Sequence, residues 1–129
     1  MNVCSINLMA AWAGILLGFL SGTVLGLFFH REDWLGGYGS FRRRLYRLGH
    51  ISFFGLGAVN LFFWLTVKLS PLAGAPVNVA SGAFILGAIT MPLSCALMAH
   101  FPKVRLVFAV PVVSLMTGGI LTVLEIIKS

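Results

Sequence analysis

Charged side chains are scarce in this sequence. They make up 9% of its 129 residues, against 59% hydrophobic residues, whereas soluble domains carry roughly 25% charged residues. A single membrane-embedded domain, covering residues 1–129, is therefore the first prediction. The formal charge of +6 does not indicate nucleic-acid binding, because the cations lie in short stretches beside apolar segments.

Acidic residues and cysteines are also few. The three acidic residues are Glu32, Asp33 and Glu125, so the first apolar segment lacks the carboxylate that a small multidrug exporter needs there. The two cysteines, Cys4 and Cys95, fall at opposite membrane faces in the topology derived below, which excludes an internal disulfide. No nucleophile has a recognisable base, and no glycine-rich phosphate loop follows a strand. Independent catalysis is not indicated, and the chain is at most a redox subunit.

Long apolar runs dominate what is present. They cover residues 7–29, 49–67, 77–99 and 106–124, each near the roughly 20 residues that cross a bilayer as a helix. The first Lys or Arg is Arg31, so the first run lacks the basic region of a secretory signal and is expected to remain as a span. Short links predict antiparallel neighbours. The fold prediction is an all-α, polytopic membrane protein, a four-transmembrane-helix up-down bundle.

Basic residues are unevenly divided between the predicted loops. The loop 30–48 holds five arginines, the link before the fourth run adds Lys103 and Arg105, and Lys68 and Lys128 lie on the other side. The positive-inside rule places the basic loop in the cytoplasm and both termini on the non-cytoplasmic side. The expected location is a bacterial-type plasma membrane, crossed several times.

Ser40 is a candidate cap for a short interfacial helix within this loop, running into the second span. Phe41, Leu45 and Leu48 share one face of that helix, and arginines cover the rest. The arginines either serve topology and contact lipid, or form an anionic docking site for a lipid, a haem propionate or a partner protein.

Small residues recur at every fourth position of the first span: Ala10, Gly14, Gly18, Gly22 and Gly26. Such a ridge lets another helix approach closely. Two interpretations stay open: packing within the chain, or contact with a second copy or another membrane subunit.

Polar and kinking residues within the spans give weaker signals. Asn60, midway along the second span, is expected to face the interior and bond another helix, with a substrate or quinone contact as the alternative. Pro92 and Pro111 are expected to kink the third and fourth spans.

Histidines provide the candidate site. His30 ends the first span, His50 begins the second and His100 ends the third, so all three are expected at the cytoplasmic face. Imidazole binds haem b, copper, zinc or iron, and the plausible axial pairs are His50 with His100 or His30 with His100. Gly57 leaves room for a porphyrin edge, and Arg47 and its neighbours are placed to neutralise propionates.

The sequence thus predicts a small membrane subunit that binds haem b or a metal for electron transfer or quinone-linked redox chemistry, in a layout generally like that of small cytochrome b anchors. The alternative is a non-redox accessory subunit, docked through the glycine ridge into a homo-oligomer or a larger complex. A small transporter ranks third.

Overall fold

The computed structural model describes the backbone of residues 3–129 and the side chains from Ser5 onward. Four long helices make up the fold: α1 Val3–Phe28, α2 Phe41–Leu69, α3 Ala75–His100 and α4 Ala109–Lys128. A 3-10 turn, Trp34–Gly36, lies between α1 and α2, and a 3-10 helix, Pro102–Phe108, precedes α4. By length and composition, four helices in the described residues are long and apolar enough to cross a membrane. This confirms the prediction of an all-helical chain with four helices of membrane-spanning length.

The helices pack in chain order. α1 packs on α2, α2 on α3 and α3 on α4, while α1 and α3 have a smaller contact. The apolar core lies between α2 and α3, where Phe63 and Phe84 pack with ring centroids 5.1 Å apart. Most other large apolar side chains of α1 and α4 are exposed, which suits a surface covered by lipid tails rather than by water.

α2 begins earlier than the second apolar run. Ser40 accepts a hydrogen bond from the Arg43 backbone N–H and caps the helix, which then continues without a break to Leu69. The short interfacial helix expected in the loop is therefore the first part of α2. Its predicted face differs: Leu45 is buried, Phe41 and Leu48 are exposed, and Arg43 is buried among the elements around it.

The two prolines occupy different helical positions. Pro92 lies inside α3, where it removes a backbone donor as expected. Pro111 is the third residue of α4, and a first-turn N–H has no carbonyl partner within its own helix, so no helical bond is lost there. The sequence predicts that the fourth span begins at residue 106, but residues 106–108 belong to the 3-10 segment and α4 begins at Ala109, which brings Pro111 into the first turn.

Three segments meet at what we call the basic end: the loop 29–40, the first turns of α2 and the last turn of α3. Arg43 bonds the backbone just after α1, and Arg42 bonds the backbone of Ala99 in α3. Away from this end, Asn7, Asn60 and Ser81 connect α1, α2 and α3. These two groups of bonds set the geometry of the space between the helices.

Candidate functional site

A cleft of about 830 Å³ lies among α1, α2 and α3. α1 lines it between residues 10 and 25, α2 between 45 and 53, and α3 between 85 and 96. Leu17, Ile89 and Leu93 line the cleft and are also exposed, so it opens sideways between α1 and α3. Its volume lies within the range of small-molecule and cofactor sites, roughly 300–1,000 Å³.

The hydrogen bonds that join α1 to α3 in the described residues lie at one end of the cleft. Asn7 contacts Ser81 at that point, and the cleft begins just beyond, at Ala10 and Ile85. At the basic end, Trp34 and Leu35 of the 3-10 turn form its wall. Leu35 has a φ of 55°, which is unfavourable for a bulky side chain, so the turn holds this residue in a strained conformation at the wall of the site.

His50 is the histidine that lines the cleft. Its Nδ1 lies 2.9 Å from Ser21 Oγ, and that hydroxyl donates to the Gly18 carbonyl at 3.1 Å. In the tautomer that carries its proton on Nδ1, the ring donates to Ser21 Oγ while Ser21 donates to Gly18, so both bonds are made at once. That tautomer has its lone pair on Nε2, the atom that would ligate iron or accept a hydrogen bond.

His50 Nε2 has no hydrogen-bond partner among the residues that the structure describes, and it is not sealed from its surroundings. Ser21 therefore fixes the ring from one side and leaves the other nitrogen available. This is the arrangement by which an outer hydrogen bond orients a metal-ligating histidine.

The glycines of α1 bring α2 close enough for this contact. A Cβ on Gly14 would lie 2.9 Å from the Phe53 carbonyl oxygen, one on Gly18 would lie 2.7 Å from the Phe54 ring, and one on Gly22 would lie 2.8 Å from the His50 ring. A Cβ on Gly26 would meet no neighbouring atom within 4 Å in the described structure. Over Gly14–Gly22 the ridge therefore packs within the chain, and it seats His50 against α1.

His100 lies at the basic end outside the cleft lining. Its Nε2 is 2.7 Å from the hydroxyl of Tyr46, a residue that does line the cleft. Arg42, one turn before Tyr46 on α2, donates from Nε to the Ala99 carbonyl at 3.1 Å. α2 thus holds the last two residues of α3 with two side chains from one helical face.

His30 is exposed after the end of α1, where its backbone carbonyl accepts from the Tyr38 hydroxyl. Within residues 5–129, no group of three or more His, Cys, Asp or Glu side chains is placed to hold a metal ion. The structure therefore brings His50 to the cleft and leaves His30 and His100 at the surface, and the three do not meet.

The remaining predicted site residues have separate surroundings. Arg47 lies off the cleft lining, with a long contact of 3.5 Å from its guanidinium to the Tyr38 carbonyl. Gly57 packs against α1, where a Cβ would lie 3.0 Å from the Ala11 carbonyl oxygen. Asn60 is fully buried, accepts from Asn7 at 2.8 Å and donates to the Leu56 carbonyl at 2.9 Å.

Sequence reasoning missed Arg43, which is only 1% exposed. It donates to the carbonyls of Phe29 at 2.7 Å and Arg31 at 3.0 Å. Its guanidinium carbon also lies 5.0, 5.5 and 4.0 Å from the rings of Phe29, Trp34 and Tyr38. The carbonyls at the negative end of α1 and the π faces stabilise this cation without a carboxylate.

Two more residues escaped the sequence reasoning. Ser21 looks like an ordinary small residue of the ridge helix, yet it orients His50. Asn7 begins the first apolar run, and its buried position beside Asn60 could have been suspected, since an amide inside a membrane needs an amide or carbonyl partner.

Comparison of the chain with protein-family models, with curated proteins and with solved structures gives no match. The assignment of function therefore depends on the cleft and its residues.

Proposed function

We propose that this chain is a small integral membrane subunit that binds haem b in the cleft through His50 and takes part in electron transfer. It crosses the membrane four times in up-down order, with the basic end in the cytoplasm and both termini on the other side. The uneven division of Lys and Arg between the loops supports this orientation.

The observation that carries the proposal is His50 in the wall of the cleft, with Nδ1 bonded to Ser21 and Nε2 open. An imidazole held in this way is ready to ligate iron, and the surrounding side chains are almost all apolar. A flat apolar ligand would replace lipid tails in a cleft that opens sideways. Bound haem would supply one-electron chemistry, while the protein supplies the axial nitrogen and a low-dielectric setting.

Quinone binding is the second candidate. His50 lines the cleft, and Ser21 and Tyr46 are the two hydroxyl-bearing residues that also line it. A quinol hydroxyl would donate to an open His50 Nε2, and its isoprenoid tail would lie along the apolar walls. This ligand requires no second axial group.

The accessory-subunit and transporter interpretations have less support. α2 already covers the glycine ridge from Gly14 to Gly22, so docking would have to use another surface, such as the exposed faces of α1 and α4. The Asn60 side chain accepts from Asn7 and donates to the carbonyls of Leu56 and Phe84. Its amide is therefore engaged within the bundle, which gives little support to a role in binding a transported substrate.

The test is a reduced-minus-oxidised visible spectrum of detergent-purified protein expressed with ample haem. Wild type should show haem b bands, and His50→Ala should lose them. His30→Ala is the matched control, because His30 is exposed and outside the cleft, and it should keep the bands.

Other outcomes of this experiment are also decisive. Bands that persist in His50→Ala would sink the proposed ligation. A featureless wild-type spectrum with quinone in the organic extract would favour the second candidate. No haem and no quinone, with other membrane proteins co-purifying, would favour the accessory subunit.

A further inference from the structure

Arg42 lies on the face of α2 that forms the floor of the cleft. Tyr46, Gly49, His50 and Phe53 line the cleft, and they follow Arg42 by four, seven, eight and eleven residues, the spacing of one helical face. Arg42 therefore continues this lining by one turn toward the basic end. Arg44 is two residues along, about 200° around the helix, and so lies on the other side.

The Arg42 guanidinium is fixed where the cleft ends. Its Nε donates to the Ala99 carbonyl, and Ala96, one turn earlier on α3, lines the cleft. The side chain is exposed, and its two terminal nitrogens have no partner among the described residues. A guanidinium bound through Nε keeps two parallel donors for a carboxylate and has already lost part of its conformational freedom.

No carboxylate of the described chain competes for Arg42. Asp33 pairs with Arg31, and Glu125 pairs with Lys128; Glu32 makes no ion pair within residues 5–129. The other nearby arginines differ: Arg43 is spent on two carbonyls and three rings, and Arg47 reaches the Tyr38 carbonyl.

We propose that Arg42 binds a carboxylate of the cleft ligand, so that the site selects an anionic amphiphile with an apolar body. For its ligand this inference rests on the proposed function, since haem b carries two carboxylates on an apolar ring. Arg42 and His50 are eight residues apart, which is about 12 Å along the axis at 1.5 Å per residue. His50 meets the ring and Arg42 meets the acid at its edge.

The experiment separates the acid from the iron. Metal-free protoporphyrin and its neutral dimethyl ester are titrated into protein in non-ionic detergent, and binding is followed by quenching of tryptophan fluorescence, since Trp34 lines the cleft. Wild type should prefer the diacid by about tenfold, the size of one charge-assisted contact. Arg42→Gln should abolish the preference by weakening diacid binding alone.

Two variants control this result. Arg42→Lys keeps the positive charge and should retain part of the preference for the diacid. If Arg42 acted only through its bond to the Ala99 carbonyl, its replacement would weaken the binding of both porphyrins equally. Arg44→Gln removes an exposed cation from the other side of α2 and should keep the full preference. Equal losses in Arg42→Gln and Arg44→Gln would overturn the inference, because the preference would then reflect general surface charge.

Haem b and its dimethyl ester are the iron-containing counterparts of these two porphyrins. Titrating them in the same way distinguishes this inference from the proposed function. Diacid preference that depends on Arg42 without a histidine-ligated spectrum would retain the inference and overturn haem ligation. A histidine-ligated spectrum with no preference for the diacid would support haem ligation and overturn the inference about Arg42. Absence of binding by all four porphyrins would overturn both.

Discussion

The two groups of bonds that connect the helices differ in chemistry and in reach. Asn7, Asn60 and Ser81 form a neutral cluster in which Asn7 donates to Asn60 and Ser81 donates to Asn7. Arg43 forms a cationic one, with its guanidinium between two carbonyls and three rings. Both are buried and satisfied, yet the first joins three helices and the second joins α2 to the loop after α1.

The difference explains why the cleft lies where it does. Short amide and hydroxyl side chains bond only when their backbones are close, so α1, α2 and α3 converge at Asn7. A long arginine crosses a wider gap, and at the basic end its bonds go to the α1 side, while α3 is held to α2 by Arg42 and Tyr46. No hydrogen bond or ion pair among the described residues joins α1 to α3 at the basic end, and the cleft lies between these two helices there.

Replacing Arg43 by Ala should have the largest effect on stability. It removes two charge-assisted hydrogen bonds and three ring contacts from a buried position, which should cost on the order of 3 kcal/mol in the free energy of unfolding. Arg44→Ala, at an exposed position with no hydrogen bond or ion pair among the described side chains, should change it by less than about 0.5 kcal/mol. Denaturation in mixed micelles measures the free energy of unfolding of both variants. Similar losses would show that the buried contacts of Arg43 do not stabilise the fold more than an exposed arginine does.

Adding a methyl group at Gly14 should come next. A Cβ there would meet the Phe53 carbonyl oxygen, which is backbone and cannot rotate away, so Gly14→Ala should cost about 1–3 kcal/mol through a forced separation of α1 and α2. Gly26→Ala has open space and should be neutral or stabilising by up to about 1 kcal/mol, through helix propensity. Equal effects would mean that α1 does not pack on α2 as described.

Asn60→Leu should destabilise by about 1–2 kcal/mol, because Asn7 Nδ2 loses its best acceptor while Ser81 still bonds Asn7. The double variant with Asn7→Leu should cost less than the two single changes added together, which a double-mutant cycle tests. Asn78→Leu, at an exposed position on α3, serves as the control. Strict additivity would show that Asn7 and Asn60 act independently.

Ser21→Ala should have the smallest effect on stability, about 1 kcal/mol, since the two hydrogen bonds that it removes, to His50 and to the Gly18 carbonyl, are only partly buried. Its effect on ligand binding should be larger. Loss of an orienting hydrogen bond to a ligating histidine typically lowers metal affinity by about 10- to 100-fold. Haem titration of Ser21→Ala and Ser21→Thr checks this, and unchanged affinity in Ser21→Ala would separate Ser21 from the ligand.

The sequence predicts the number and rough position of the helices because apolar runs of bilayer length are a strong, local signal. The Ser40 cap is similarly local. The glycine spacing predicts a close helix contact, but the choice of α2 as the partner depends on the three-dimensional fit of Gly14 against Phe53 and Gly57.

The candidate site was predictable only in part. His50 is identifiable as a candidate, but the packing of α1, α2 and α3 decides that His50 lines the cleft while His100 bonds Tyr46 at the surface. Arg42, Arg43 and Arg44 are identical in type and adjacent in sequence, yet each turns about 100° from the last. Their surroundings, an α3 carbonyl, an aromatic cage and open surface, follow from tertiary contacts that no local pattern encodes.

α2 is a single helix of 29 residues, about 43 Å long, and hydrocarbon cores are about 30 Å thick. One unbroken helix therefore carries both the arginines at the basic end and the Asn60 amide. A displacement of the loop that pulls on Arg43 would move His50 and Asn60 together, with their spacing unchanged. Such a motion would change how His50 faces α1 and α3 but leave the backbone spacing of Arg42 and His50 along α2 constant. For the ligand proposed above, the backbone of α2 would therefore set the length that fits both residues.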